Sequence, residues 1–439
     1  MKIAIFWHRR DLRFQDNAGL AAALQSGHPV LPLFIYDQTI LEKLSRDDAR
    51  LTFIFDQVER LAHEAHEAGG GLLARYGHTP AVFKQLLQDY EVAAVYTNED
   101  YEPYATERDA AIEKLLAAQG VDFKAFKDQV IFAKNEVLTK NGKPSKVFGA
   151  YSKAWQAKVT PEDFKPHPSQ RLFKKEHLAS PHKGDATRPT LASLGFERHE
   201  QWTPPAHLPP AEVVKNYDKV RDLPAEKRGT TRMSVHLRFG TVSIRQLMHQ
   251  AQELNNKLLN EMIWRDFFMM LLWHFPNTAT EAYDPKMRRL PYRDDEAQYQ
   301  AWCEGRTGYP LVDAGMRQLN ATGYLHNRAR IAAAGFLVKQ LFIDWRLGEH
   351  YFSEKLLDYD MSNNVGNWQW MAGTGAVAAP WFRVYSPESQ QKQYDPEYAY
   401  VKQWVPEFGT DQYPAPIVDH KFGRERAIDL IRKGRKELE

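Results

Sequence analysis

The sequence predicts two domains: an α/β domain with a doubly wound, Rossmann-like parallel sheet, and an all-α domain joined to it by a long connector. Three observations carry this. In the first third, β-rich runs alternate with amphipathic stretches. Periodicity then decays through a segment rich in Pro, Lys, His and Ser. Beyond that segment the apolar residues recur at helical spacing almost to the end. A chain of 439 residues is long enough to bury a sizeable core in each of two domains.

Taken in order, the strand candidates are residues 2–7, 29–36, 71–76, 92–97 and 122–126. Amphipathic stretches at 47–68, 79–90 and 107–119 lie between them. That alternation builds a parallel sheet with helices on both faces, and such sheets take ligands beyond the carboxyl ends of their strands. The segment after the first strand, His8-Arg9-Arg10-Asp11-Leu12-Arg13, lacks the glycines of a dinucleotide fingerprint. Its arginines either bind an anion or buttress the domain. The expected divisions are 1–134, a connector at 135–209, and a helical domain at 210–439. In the last, Ile244, Leu247, Met248 and Ala251 share a face behind Ser243 as N-cap, and 258–273 is apolar nearly all round.

Composition narrows the function. The single cysteine, Cys303, excludes an internal disulfide framework and any cysteine-ligated cluster or zinc knuckle built by this chain alone; no metal site is expected. That usage, a start on a strand-like run and the lack of a long apolar span lead to the expectation of a cytoplasmic protein. A net charge of +2 does not announce a nucleic-acid binder, although a local basic face still can be one. Aromatic content is 12%, with eleven Trp, more than packing alone usually needs.

Three segments of the helical region hold polar and aromatic residues where a plain core would not want them. Gly229-Thr230-Thr231-Arg232-Met233-Ser234 offers hydroxyls and backbone amides at the start of a helix, which suits either a diphosphate or an ordinary cap. Glu261, Trp264 and Arg265 fall three and four residues apart on one helix face. That face holds either an internal Glu–Arg pair or a pocket in which Trp264 stacks on a base while Glu261 bonds its edge. Finally, two carboxylates, four amides and two indoles crowd into Asp358–Trp370, with His326-Asn327-Arg328-Ala329-Arg330 upstream and Trp345 between.

Read together, these segments resemble the photolyase/cryptochrome family. Trp7 to Arg13 with Asp16-Asn17 is similar to the family's opening pattern. Gly305-Arg306-Thr307-Gly308-Tyr309-Pro310-Leu311-Val312-Asp313-Ala314 is similar to its signature, and Asn364 to Pro387 resembles its flavin-site block. The likeness runs to His420 and is greatest for bacterial cyclobutane pyrimidine dimer photolyases.

The resemblance implies non-covalent FAD, active when fully reduced. Tyr217, Thr230, Thr231 and Ser234 would hold its phosphates and ribose. Arg330 and Asp358 would pair beside the ring, with Asp360 near the ring edge and Asn364 facing N5. An amide at that position suits the reduced anion and favours repair over signalling. It also implies UV-damaged DNA as partner, a monomer as the working form, and a dimer flipped into a pocket between Trp264 and Trp370. Glu261, able to share or donate a proton, and Asn327 would be the polar partners, with Arg328, Arg383 and Lys392 on flanking phosphates. Photoreduction would run through Trp368 and Trp345 to Tyr292, where the family has a third tryptophan, or leave by Trp302. Members of the family often carry a second, light-harvesting chromophore; the sequence leaves open whether a folate, a deazaflavin, a flavin mononucleotide or none binds here. Of the two histidines used by (6-4) photolyases, His326 matches the first, whereas Ile331 stands at the second. The alternatives are a cryptochrome-like blue-light receptor, a (6-4) photolyase and, more remotely, another flavin oxidoreductase. Against the receptor stand Asn364 and the expectation that no long tail follows the last helical stretch, 422–436.

Overall fold

The computed structural model describes residues 2–185, 187–199, 208–377 and 379–436. They form two compact units drawn from interleaved stretches. The first comprises Met1–Ala133, Lys158–Leu208 and Met233–Gln250; the second comprises Lys134–Ala157, Pro209–Arg232 and Ala251–Glu439. The stretch 135–209 thus contributes to both, and its residues 186 and 200–207 lie outside the described residues.

In the first unit, five strands form one sheet: β1 (Ile3–His8), β2 (Val30–Asp37), β3 (Leu73–Gly77), β4 (Val92–Asn98) and β5 (Asp122–Phe126). Their order is β3-β2-β1-β4-β5 and every pairing is parallel. Each begins within two residues of its expected start. β1 and β2 are buried along their whole length, as central strands covered on both faces must be. The connecting helices are α1 (Ala18–Leu24), α2 (Ala49–Glu67), α3 (Thr79–Asp89) and α4 (Pro103–Ala117). Their starts follow local chemistry: Asn17 and Asp48 accept backbone N–H groups as N-caps, and Pro opens α3 and α4.

The arginines after β1 buttress this unit. Arg9 pairs with Asp109, Arg10 with Asp100 and Glu102, and Arg13 with Asp128 at 2.7 Å. Arg245 joins Asp16 and Asp128, and these side chains are all buried or nearly so. Breaking one partner out of such a buried pair strands a charge, so the network holds the loop in one geometry.

The second unit is helical: α5 (Phe148–Lys158), α6 (Tyr217–Val220), α7 (Asn256–His274), α8 (Glu296–Cys303), α9 (Pro310–Thr322), α10 (Asn327–Gly335), α11 (Trp345–Lys355), α12 (Met361–Ala372), α13 (Pro387–Tyr394) and α14 (His420–Lys436). α12 packs against α7, α10 and α11. Two glycines permit this: a side chain at Gly348 would collide with the Trp368 ring, and one at Gly366 with Phe268. The family-like run around Thr307 is structural. Asp313 accepts from Thr307 N at 2.7 Å, from Thr307 Oγ1, from Gly308 N and from the Tyr413 hydroxyl, fixing the start of α9. Trp302, Trp345 and Trp368 all lie in this unit's core. Among the described residues, no helix is long and apolar enough to cross a membrane.

Candidate active site

α7 carries Glu261 and Trp264 on one face, half-buried among residues that are otherwise core. The Glu261 carboxylate is held by two basic residues. It accepts from Arg221 Nη1 at 2.5 Å, with Lys257 one turn away at 3.7 Å. Arg221, just past α6, also lies 5.3 Å from the Tyr217 ring, and its carbonyl meets His326 Nε2 at 2.9 Å. Tyr217, Arg221, Glu261 and His326 therefore form one connected cluster. Burial raises the Tyr217 hydroxyl above its ordinary range. Trp264 is stacked by Phe148 on α5, with ring centroids 3.6 Å apart, and by Phe268 at 5.4 Å.

The N-terminus of α10 brings the next group. His326 caps the helix: its Nδ1 accepts the Arg328 N–H at 3.1 Å. Nε2 must then carry the ring proton and donate it to the Arg221 carbonyl. Burial pushes the imidazole down to about 4. Asn327 beside it is exposed. Arg328 pairs with Asp222 and lies 4.4 Å over the Tyr394 ring on α13, where Lys392 is exposed. Arg383 is exposed in the loop before α13. Arg330 makes two hydrogen bonds to Asp358, at 2.8 and 3.0 Å, and a third to the Leu325 carbonyl.

At the start of α12, Asp360 is the N-cap, accepting from Asn363 N and from Ser362. One turn on, Asn364 Nδ2 donates to Glu349 Oε1 at 3.0 Å, and the Tyr359 hydroxyl donates to the same oxygen at 3.1 Å. Desolvation holds the Glu349 carboxyl above the usual carboxylate range. Trp368 is buried another turn along, and Trp370 is half-buried against the same core. Thr230 shares a hydrogen bond with the Tyr324 hydroxyl at 3.1 Å, and the Arg232 cation lies 5.0 Å from the Tyr324 ring. Thr231 is half-buried next to them, whereas Ser234 falls in the first unit. Trp345 is a core member and Tyr292 packs against the same core; the Trp345 indole N–H and the Tyr292 hydroxyl find no partner among the described residues.

These donors fit an isoalloxazine joined to a diphosphate. Hydroxyls and a cation (Thr230, Thr231, Arg232) suit the phosphates. A fixed ion pair and an amide backed by a carboxyl suit the polar edge of a planar ring. A separate, small cleft lies between α7 and α12, lined by Phe268, Leu271, Phe275, Val365, Gly366 and Gln369 among others. None of the expected site residues lines it. Sequence reasoning missed Arg221, Glu349 and Phe148. Only Glu349 left a signal, a carboxylate one turn beyond Trp345 on a helix with a buried face.

Residues 4–170 match the family model described as DNA photolyase, and residues 258–433 that of the FAD binding domain of DNA photolyase. A deoxyribodipyrimidine photo-lyase of Halobacterium salinarum is 34% identical, over 98% of this chain and 99% of that one. A bacterial class III photolyase from Agrobacterium tumefaciens superposes with a TM-score of 0.88 at 29% identity, covering 99% of this chain and 98% of that one. An archaeal photolyase from Sulfolobus tokodaii, solved with two FAD molecules, gives 0.83 at 32% identity, covering 98% and 99%.

Proposed function

The chain belongs to the DNA photolyase family, and from that premise we infer that it is a deoxyribodipyrimidine photo-lyase, repairing cyclobutane pyrimidine dimers in DNA with light. The observation that carries this reading is the 34% identity to such an enzyme along essentially the whole of both chains. Bound, reduced FAD supplies the light-excited electron. The protein's own residues supply position and electrostatics. Arg330, locked to Asp358 and to the Leu325 carbonyl, would present a fixed cation to the ring. Asp360 holds the start of α12 in place. Asn364, whose amide is aimed by Glu349, offers no acidic proton at its side-chain tip. Thr230, Thr231 and Tyr217 would hold the phosphates and ribose.

A dimer is poorly stacked in the duplex, which lowers the few kcal/mol needed to flip it out. Trp264 and Trp370 would flank it, each stacked base contributing about 1–3 kcal/mol. Asn327, exposed at the tip of α10, is placed to bond a pyrimidine edge, and Glu261 is held ready by Arg221. Arg383 and Lys392 point to solvent and suit phosphates. Arg328 can join them only by leaving Asp222. The state of His326 favours cyclobutane dimers over (6-4) products: both its nitrogens are engaged and its ring is neutral, so it cannot act as the acid that (6-4) chemistry would ask of it. A second chromophore would sit beyond the carboxyl ends of the strands; extraction of bound pigments identifies it. The working form is taken to be a monomer, which size-exclusion chromatography checks.

The direct test is repair itself. The reduced protein is mixed with an oligonucleotide carrying one thymine dimer and illuminated with blue light. Recovery of intact thymines in light and not in darkness is expected. No recovery from protein with FAD bound and fully reduced would overturn the reading, and the same assay on a (6-4) product follows.

A further inference from the structure

Lys339 lies in the core of the helical unit, 1% exposed, on a π turn that spans Phe336–Leu341. Its ammonium donates to two backbone carbonyls, Ala372 O at 2.9 Å and Trp381 O at 3.2 Å. No carboxylate pairs with it among the described residues, and desolvation alone pulls it down to about 8. Burying an ammonium without a counter-ion is costly, and a methionine would fill the same space at no such cost. Packing therefore does not account for a lysine here.

The two acceptors do. Ala372 is the last residue of α12, where a helix leaves carbonyls unpaired and its dipole is negative. Trp381 opens the loop segment 381–385, in which Phe382 and Arg383 are exposed. Lys339 thus ties this segment to the end of the helix that carries Trp370. The neighbouring side chain holds the other end: Gln340, fully buried, donates from Nε2 to the Tyr385 carbonyl at 2.7 Å. Two backbone bonds tighten the turn. Ala379 N donates to the Trp370 carbonyl at 3.0 Å, and Arg383 N to the Pro380 carbonyl at 2.8 Å. Adjacent residues of one buried turn therefore set where Arg383 stands relative to Trp370.

We propose that Lys339 and Gln340 are positioning residues for the DNA substrate: they clamp the segment 381–385 so that Arg383 meets a backbone phosphate while the pyrimidine dimer lies on Trp370. Phosphate contacts carry no sequence information, but they fix register and orientation. An arginine that binds a phosphate therefore helps only when it is held at a set distance from the stacking ring. Both clamp side chains are buried, so they act through the loop's carbonyls and not by touching DNA. This rests on Arg383 binding a phosphate and Trp370 stacking on the dimer.

The test uses full-length protein loaded with reduced FAD and a labelled duplex carrying one thymine dimer. Fluorescence anisotropy across a salt series gives affinity, and blue light at saturating duplex gives the repair rate. Lys339→Met keeps the volume and removes the donors, so affinity should fall by about tenfold. The slope of log affinity against log salt should shrink by about 1, the loss of one phosphate contact. The saturating repair rate and the FAD content should stay at wild-type values. Gln340→Met frees only the Tyr385 end; it should move affinity and slope the same way, and it keeps the proposal testable if Lys339→Met misfolds. Arg383→Ala should lose affinity and slope on its own, but little further in the Lys339→Met background. Wild-type affinity and slope in the folded clamp variants, a saturating rate that falls along with affinity, or full additivity with Arg383→Ala would each overturn the clamp. Wild-type affinity and slope in Arg383→Ala alone would instead overturn the phosphate role of Arg383, and the clamp with it.

Discussion

Phe148 lies flat on Trp264, the ring planes 6° apart and the centroids 3.6 Å apart. Aromatic pairs usually prefer an offset or edge-on arrangement, so a face-to-face stack marks a ring pressed into place by its surroundings. Phe267 supplies part of that pressure, edge-on to both rings at 5.7 Å. Phe148 thereby fixes the plane of the indole on which a pyrimidine is proposed to stack. Phe148→Ala should cost about 2 kcal/mol of stability, less than a fully buried Phe because the ring is half-buried. In a double-mutant cycle with Trp264→Ala, the two changes should fall short of additivity by about 0.5–1.5 kcal/mol. Strict additivity in urea denaturation would show that the stack couples nothing.

Arg221 holds Glu261 and also offers its carbonyl to His326. Arg221→Ala leaves the Glu261 carboxylate with only Lys257, at 3.7 Å, and frees it to leave the pocket. Binding of a dimer-bearing duplex should weaken by about tenfold, roughly 1.4 kcal/mol, with Arg221→Lys recovering part of the loss. Fluorescence anisotropy with a labelled duplex measures both. Undiminished affinity in Arg221→Ala would mean that Glu261 needs no positioning.

The contrast between what the sequence disclosed and what it hid has a physical cause. β1 to β5 were legible because a strand's period is local, and each apolar run names its own element. The division into units was not, because it depends on distant contacts: Arg245 belongs with Asp16 and Asp128, and no local pattern says so. Trp264 and Asn364 stood out as polar or aromatic residues among core positions. Their supports did not, save for the weak signal of Glu349 one turn beyond Trp345. Arg221 reaches Glu261 across 40 residues, and Glu349 reaches Asn364 across 15. Before folding, an arginine in a polar turn and a glutamate on a helix look like surface residues.

Glu349 titrates above the ordinary carboxylate range because it is desolvated, although Asn364 and Tyr359 both donate to it. The sign follows from linkage: the folded chain keeps the proton to higher pH than the unfolded chain does. Stability from this group is therefore fully present below the unfolded pKa and is lost as pH rises through the folded one. Glu349→Gln keeps an acceptor for both donors and removes the titration. The variant should gain stability relative to wild type as pH rises from mildly acidic to neutral, and the gap should close in acid. A gap that is constant with pH, measured by urea denaturation, would assign Glu349 no part in it.

His326 gives the opposite slope. Burial holds its folded value at about 4 against an ordinary 6.5, so between those values the unfolded chain takes up a proton that the folded chain refuses. Stability must then fall as pH drops from about 6.5 toward about 4, by up to roughly 3 kcal/mol at one residue. Above that window the residue contributes no pH dependence. His326→Asn keeps a side-chain acceptor for the Arg328 N–H, since Asn is among the best N-caps, and removes the imidazole. The variant should lose the acid slope while losing little stability at neutral pH. Light-driven repair by the wild type should show no inflection from this residue between pH 5 and 8, because the ring is neutral throughout. If the acid slope persists in His326→Asn, the imidazole is not its source, and the argument that a locked, neutral His326 disfavours (6-4) chemistry loses its support.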